Sequence, residues 1–269
     1  MTAEVVAAPA AGEAGAAGVV VVTLRHTGRL NAMSRAMWRQ LRSVFESIQR
    51  NPEARCVLIE GEGGAFCAGG DISEYPAFRF DPAQLRDFHE NDVWGGLSAM
   101  LDCDVPIVAR IAGACMGAGV EIASCCDIRV AGASARFGAP IGRLGFPMAP
   151  REAQLVASAA GELTAREMLL EGAVLDAPLM LARGFLNRVV PDDAVPAEVH
   201  ARAVRVAALA PQAARLNKRT LLALKQVIPS TNASSDAMDN IVSGAYAYAD
   251  SAEHREGVGA FLEKRRPDF

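Results

Sequence analysis

The stretch PIVARIAGACMGAGVEIASCCDIRVAG, residues 106–132, changes its periodicity three times. PIVARIAG is a short β-rich run that enters a Gly/Ala turn. The next residues follow helical spacing, and DIRVAG returns to a strand pattern. Strand, glycine turn, helix and strand in that order describe an α/β unit with parallel pairing, whose functional loops gather at the C-terminal ends of the strands. Gly117, Ala118 and Gly119 place small residues and unpaired N–H groups where the helix starts, an arrangement suited to negative charge. Glu121 falls in the first turn of that helix.

The same grammar extends outward on both sides. VVVVTLRH (19–26) reads as a buried strand closed at Thr27-Gly28. From the N-cap Ser34, the apolar residues Met37, Leu41, Val44, Phe45 and Ile48 keep helical spacing until Asn51-Pro52. CVLIEGEG (56–63) is a second strand that runs into a glycine-rich loop, and residues 84–101 are amphipathic. Beyond about residue 195 the strand signal stops. Helical periods continue through AEVHARAVRVAALA, PQAARLNKRTLLALKQV and EHREGVGAFLEKR, with Pro211 and Pro229 as breaks. The expected organisation is a disordered Ala/Gly-rich tail over 1–18, an α/β core over 19–195 and a helical appendage over 196–269.

Composition excludes several classes of function. The chain has 269 residues, 51% of them hydrophobic, and a net charge of -4, so it presents no basic field for nucleic acid or anionic membrane. No segment reaches the roughly 18–20 uninterrupted apolar residues of a membrane span. The tail lacks the basic start and compact apolar segment of a secretory signal, and the expectation is a soluble cytoplasmic protein. Cys56, Cys67, Cys103, Cys115, Cys125 and Cys126 form no CxxC pair and stand at no ligand-like distance from a histidine. They read as reduced, buried small hydrophobes, and no metal site is expected.

GGAFCAGGD (63–71) is the second informative loop: a strand ends, glycines permit close backbone approach, and an acid follows. Neither loop carries a P-loop or a complete dinucleotide fingerprint. Two such turns in one α/β domain suggest a pair of N–H donors converging on a developing oxyanion.

RLNAMS (29–34), AFCAGGDI (65–72), residues 106–132, ARFGAPIGRLGF (135–146), GFLNRVVP (184–191) and EGVGAFLEKRRPDF (256–269) occur in this order. With these landmarks the chain resembles the crotonase, or enoyl-CoA hydratase/isomerase, superfamily over nearly everything after residue 18. The resemblance implies an α/β fold of the crotonase type, a spiral of ββα units with a helical C-terminal region that builds trimers or hexamers. It implies an acyl-CoA thioester as substrate, with coenzyme A part of the substrate and no separate cofactor. It assigns the N–H groups of Gly70 and Ala118 to an oxyanion hole and Glu121 to proton transfer. It places Arg29, Ala32, Ala68 and Ile72 along the coenzyme, and Phe261 and Lys264 on a C-terminal helix that contacts the nucleotide, commonly from a neighbouring subunit.

One position departs from the pattern. Hydratases of this superfamily use two glutamates, and the second falls on Ile141. Glu152 lies further on and reads as an exposed glutamate in the first turn of a helix. A single retained carboxylate fits isomerisation, water addition or thioester hydrolysis better than efficient two-carboxylate hydration. The expectation is a hydratase/isomerase-type enzyme. Its alternatives are an acyl-CoA hydrolase or decarboxylase of the same fold, and a non-catalytic acyl-CoA-binding protein.

Overall fold

The computed structural model describes residues 2–10, 16–226, 248–249 and 251–269. The alternation of side chains along its strands divides the core in two. On β2 (Val19–His26), Val22 and Leu24 enter a large apolar core, whereas Val19 enters a smaller one on the opposite face of the sheet. On β3 (Cys56–Gly61), Val57 and Ile59 join the first core, and Cys56 and Leu58 the second. On β4 (Ile107–Ile111), Val108 alone turns to the second. Register enforces this division: Val22 pairs with Ile59 and Ile59 with Ala109, while Val21, Leu58, Val108 and Ile128 form the adjoining row. Both faces are therefore buried, as a parallel sheet requires.

Strand β1 (Ala3–Pro9) pairs antiparallel with β2, and β6 (Ile128–Gly132) and β9 (Arg188–Val190) continue the parallel series, giving the order β1-β2-β3-β4-β6-β9. A smaller sheet has the order β5 (Ala114–Met116), β7 (Arg136–Gly138), β8 (Val174–Asp176). Helix α1 (Arg35–Arg50) begins where Ser34 Oγ accepts from Met37 N at 3.2 Å, and buries Met37, Trp38, Leu41, Phe45 and Ile48 in the large core. The other helices are α2 (Pro82–Asp87), α3 (Trp94–Leu101), α4 (Ala118–Ser124), α5 (Pro150–Ala160), α6 (Glu162–Arg166), α7 (Ala177–Ala182), α8 (Val195–Ala207), α9 (Pro211–Gln226) and α10 (Ala252–Leu262). No described helix is long and apolar enough to cross a membrane. All six cysteines are free and buried.

Two expectations about organisation change. The stretch read as a disordered tail contains a strand, because residues 3–9 complete the backbone hydrogen bonding of β2, and Val5 is buried with its N–H donated to Gln40 Oε1 at 2.9 Å. The C-terminal helical region is no mere appendage: α8 packs Val195, Val199, Ala203 and Ala207 on the second face of the sheet. Further along, Lys218 on α9 is buried, pairs with Asp127 at 2.9 Å and donates to Val105 O at 3.0 Å. The break expected at Pro229 lies outside the described residues.

Candidate active site

The first loop is held by RLNAMS. Leu30 and Asn31 adopt φ of 46° and 61°, a turn that brings the Asn31 side chain inward. Asn31 Oδ1 accepts from His26 N at 3.1 Å, and Asn31 Nδ2 donates to the carbonyls of Glu62 and Ala65, each at 2.9 Å. Met33 N donates to Gly69 O, and Met33 O accepts from Asp71 N, both at 2.8 Å. This parallel bridge uses the groups on either side of Gly70, so the Gly70 N–H points away from Met33. Asp71 caps the following turn by accepting from Ser73 N and Oγ. Burial opposes its charge, but those bonds and the Arg29 guanidinium, 3.1 Å away, hold its carboxyl below the ordinary range.

The second loop meets the first at Gly119, where a Cβ would strike the carbonyl oxygen of Cys67. Gly117 takes a φ of 47° and hands the chain to α4. Ala118 opens that helix, so its N–H belongs to the unpaired donors of a helix start, and its φ is not positive. The methyl group therefore costs the donor nothing. One turn on, Glu121 N donates back to Gly117 O at 3.0 Å. The Glu121 carboxyl rises from an ordinary 4.5 to about 8, first through burial and then through the charge of Glu152. At neutral pH it holds its proton.

Gly70, Ala118 and Glu121 line one cavity of about 350 Å³, together with Ala68, Ile72 and Ile141. Glu152 corrects its sequence reading. It is 2% exposed, because α5 turns that first-turn residue inward, with Glu152 Oε1 3.1 Å from His89 Nδ1. His89 lines the cavity from a π-helical turn, Phe88–Val93. Asp92 ties this turn to α1, accepting from Arg35 Nε at 2.7 Å and Arg39 Nε at 2.6 Å. Tyr75 lines the cavity as well, with its hydroxyl where a Gly70 Cβ would be. Its ring stands edge-on to Phe78, Phe88 and Phe146, and burial pushes its hydroxyl up to about 12. His89 and Tyr75 escape sequence reading because they occupy an amphipathic and an irregular segment with no motif spacing.

Four expected residues do not line this cavity. Arg29 pairs with Asp71, and Ala32 is buried beneath the loop, its carbonyl oxygen 2.6 Å from His26 Nδ1. Phe261 lies on α10 and is 83% exposed. Lys264 is not on a helix face. It follows the end of α10 with a φ of 54°, and Arg265 N donates back to Ala260 O at 3.0 Å, closing the helix through a left-handed residue.

The sequence profile described as enoyl-CoA hydratase/isomerase matches residues 14–269. The chain belongs to the enoyl-CoA hydratase/isomerase family. A probable enoyl-CoA hydratase of Mycobacterium tuberculosis is 31% identical over 252 residues, covering 93% of this chain and 94% of that one. A mevalonyl-coenzyme A hydratase of Beauveria bassiana is 30% identical, covering 93% and 90%. Among solved structures, an enoyl-CoA hydratase/carnitine racemase from Magnetospirillum magneticum superposes with a TM-score of 0.86 at 37% identity, covering 94% of this chain and 92% of that one. An enoyl-CoA hydratase subunit from Geobacillus kaustophilus gives 0.84 at 30%, covering 98% and 97%. The crotonase fold expected from the six landmarks is thus the fold of the chain. Within the enoyl-CoA hydratase/isomerase family, a hydratase/isomerase type of enzyme is the coarse assignment.

Proposed function

We propose that the protein moves protons on an enoyl-CoA thioester whose carbonyl oxygen accepts from the N–H groups of Gly70 and Ala118. One observation carries this reading: Glu121 stands in the first turn of the helix that Ala118 opens, and all three residues line one cavity. Charge that develops on the thioester oxygen meets fixed donors, while the carboxyl one turn away exchanges a proton with carbon or water. Burial supports the second role, since an acid poised near pH 8 both holds and releases a proton under physiological conditions.

Ile141 offers no second carboxyl. We assign the second role to His89, which lines the same cavity and is backed by Glu152: the tautomer that donates Nδ1–H to Glu152 Oε1 leaves Nε2 to exchange a proton. Two proton carriers on one cavity favour hydration or double-bond isomerisation over simple binding. Phe261 and Leu262, both exposed on α10, support assembly with further copies of the chain, which sedimentation tests directly.

The test is a panel of CoA thioesters followed by mass spectrometry, with Glu121→Gln in parallel. Hydrated or isomerised product that depends on Glu121 is the expected result. Free acid plus CoA would make the protein a hydrolase, release of carbon dioxide a decarboxylase, and binding without turnover of any thioester would leave an acyl-CoA-binding protein.

A further inference from the structure

Arg79 is anomalous. Its Nη1 is the one buried side-chain nitrogen or oxygen among the described residues without a hydrogen-bond partner. No carboxylate pairs with it among the described residues, and its guanidinium carbon lies 3.5 Å from the ring centre of Phe146 and 4.7 Å from that of Tyr75. The two rings fix the plane of the guanidinium without satisfying its donors in that plane. Burial pulls the guanidinium's pKa down, and only Tyr75 opposes this. An unpaired buried donor costs free energy, and an anion that draws the guanidinium toward the cavity removes that cost.

The surroundings favour an anion. Arg79 lines the same cavity as Gly70, Ala118 and Glu121. Glu121 is the sole carboxylate of that lining, and it is protonated at neutral pH, whereas Arg143 adds a second cation. Arg143 is exposed and donates to Gly172 O at 3.2 Å, whereas Arg79 Nη1 is buried without a partner. Tyr75 sets the scale of the ligand: its hydroxyl lies against Gly70 and its ring face against Arg79. A single tyrosine side chain therefore touches both the Gly70 loop and the guanidinium.

We infer that Arg79 selects a short acyl chain bearing a carboxylate at its far end, so that the substrate is the monothioester of an unsaturated dicarboxylic acid. This rests on the proposed reading of the cavity as the acyl site. Arg–carboxylate pairing is geometrically specific, and inside the cavity it is shielded from the salt that weakens surface pairs. The phosphates of coenzyme A are the other anions within reach of a cation in such a protein. Arg79 favours the acyl carboxylate because it lies on the aromatic wall of the same cavity as Gly70, Ala118 and Glu121.

Calorimetry with glutaryl-CoA and butyryl-CoA tests the inference without requiring turnover, and the matching pantetheine thioesters remove the nucleotide and its phosphates. Wild type is expected to bind glutaryl-CoA at least tenfold more tightly than butyryl-CoA and to keep that preference for the pantetheine pair. Arg79→Met should erase the preference, weakening glutaryl-CoA far more than butyryl-CoA, and Arg79→Lys should restore part of it. Circular dichroism and melting of each variant separate this from loss of fold. If Arg79→Met weakens both acyl groups equally, or if the Arg79 effect disappears with pantetheine thioesters, the inference fails. A preserved Arg79-dependent preference with no turnover of any enoyl thioester would defeat the proposed proton transfer and leave the carboxylate site standing. Turnover of enoyl thioesters with no carboxylate preference would do the reverse.

Discussion

His89 Nδ1 and Glu152 Oε1 lie 3.1 Å apart, joining the π-helical turn before α3 to the first turn of α5. The same glutamate raises the pKa of Glu121 through its charge, so one buried carboxylate acts on both proposed proton carriers. Replacing His89 with Gln should lower kcat by about 10²-fold or more, the usual scale for a lost acid or base, with little change in thioester binding. Glu152→Gln keeps an oxygen for Nδ1–H but removes the charge. Its kcat/KM profile should therefore shift its Glu121 limb to lower pH, and an unchanged profile would separate Glu152 from Glu121.

The raised pKa of Glu121 also has a sign for stability. Between about pH 4.5 and 8 the folded protein binds more protons at this group than the unfolded chain, so its contribution is full below 4.5 and is lost as pH rises through about 8. Glu121→Gln cannot ionise. Its melting temperature relative to wild type should rise from pH 5 to pH 9, and a constant difference would show that the carboxyl titrates near its ordinary value. The same variant should lose most turnover on any substrate that wild type converts.

Gly70 and Tyr75 should prove coupled. A Cβ at Gly70 would overlap the Tyr75 hydroxyl, and the surrounding rings of Phe78, Phe88 and Phe146 limit how far that side chain can withdraw. Gly70→Ala should reduce kcat strongly, and adding Tyr75→Phe should recover part of it. Purely additive losses in this double-mutant cycle would contradict the contact.

At the partner donor the test is the N–H itself. Ala118→Gly keeps it and Ala118→Pro deletes it at a helix position that tolerates proline. Proline alone should cut turnover by about 10²-fold, a difference of about 3 kcal/mol in transition-state stabilisation. Equal rates for two folded variants would remove Ala118 from the proposed oxyanion hole.

Asn31→Ala should cost stability in place of chemistry. It strips partners from His26 N and from the carbonyls of Glu62 and Ala65, and leaves alanine at a φ of 61°. A loss of about 2–4 kcal/mol in denaturant unfolding is expected, and a loss below 1 kcal/mol would show that the loop finds other partners.

Much of this was legible in the sequence for a physical reason. β2, β3, β4 and β6 are valine- and isoleucine-rich because both faces of the sheet are buried, and α1 announces itself through Ser34 and the spacing of Met37, Leu41 and Phe45. The grouping of Gly70, Ala118 and Glu121 in one cavity was visible because a strand-to-helix turn that packs so closely needs small residues. Glu152 was not, since an acid in a first turn looks alike whether the helix turns it outward or inward. His89, Tyr75 and Arg79 sit in segments whose conformation depends on distant partners, such as the grip of Arg35 and Arg39 on Asp92. Residues 3–9 read as a tail because alanine carries weak strand preference, and only pairing with β2 orders them.

That last pairing bears on how the protein behaves in the hand. β1 covers β2 along seven residue pairs, from Ala3 opposite His26 to Pro9 opposite Val20. A chain shortened to begin at Ala16 would bare the backbone of VVVVTLRH, a valine-rich strand ready to template a second molecule. Such a truncation should leave the cavity of Gly70, Ala118 and Glu121 intact and yet make the protein precipitate as it is concentrated.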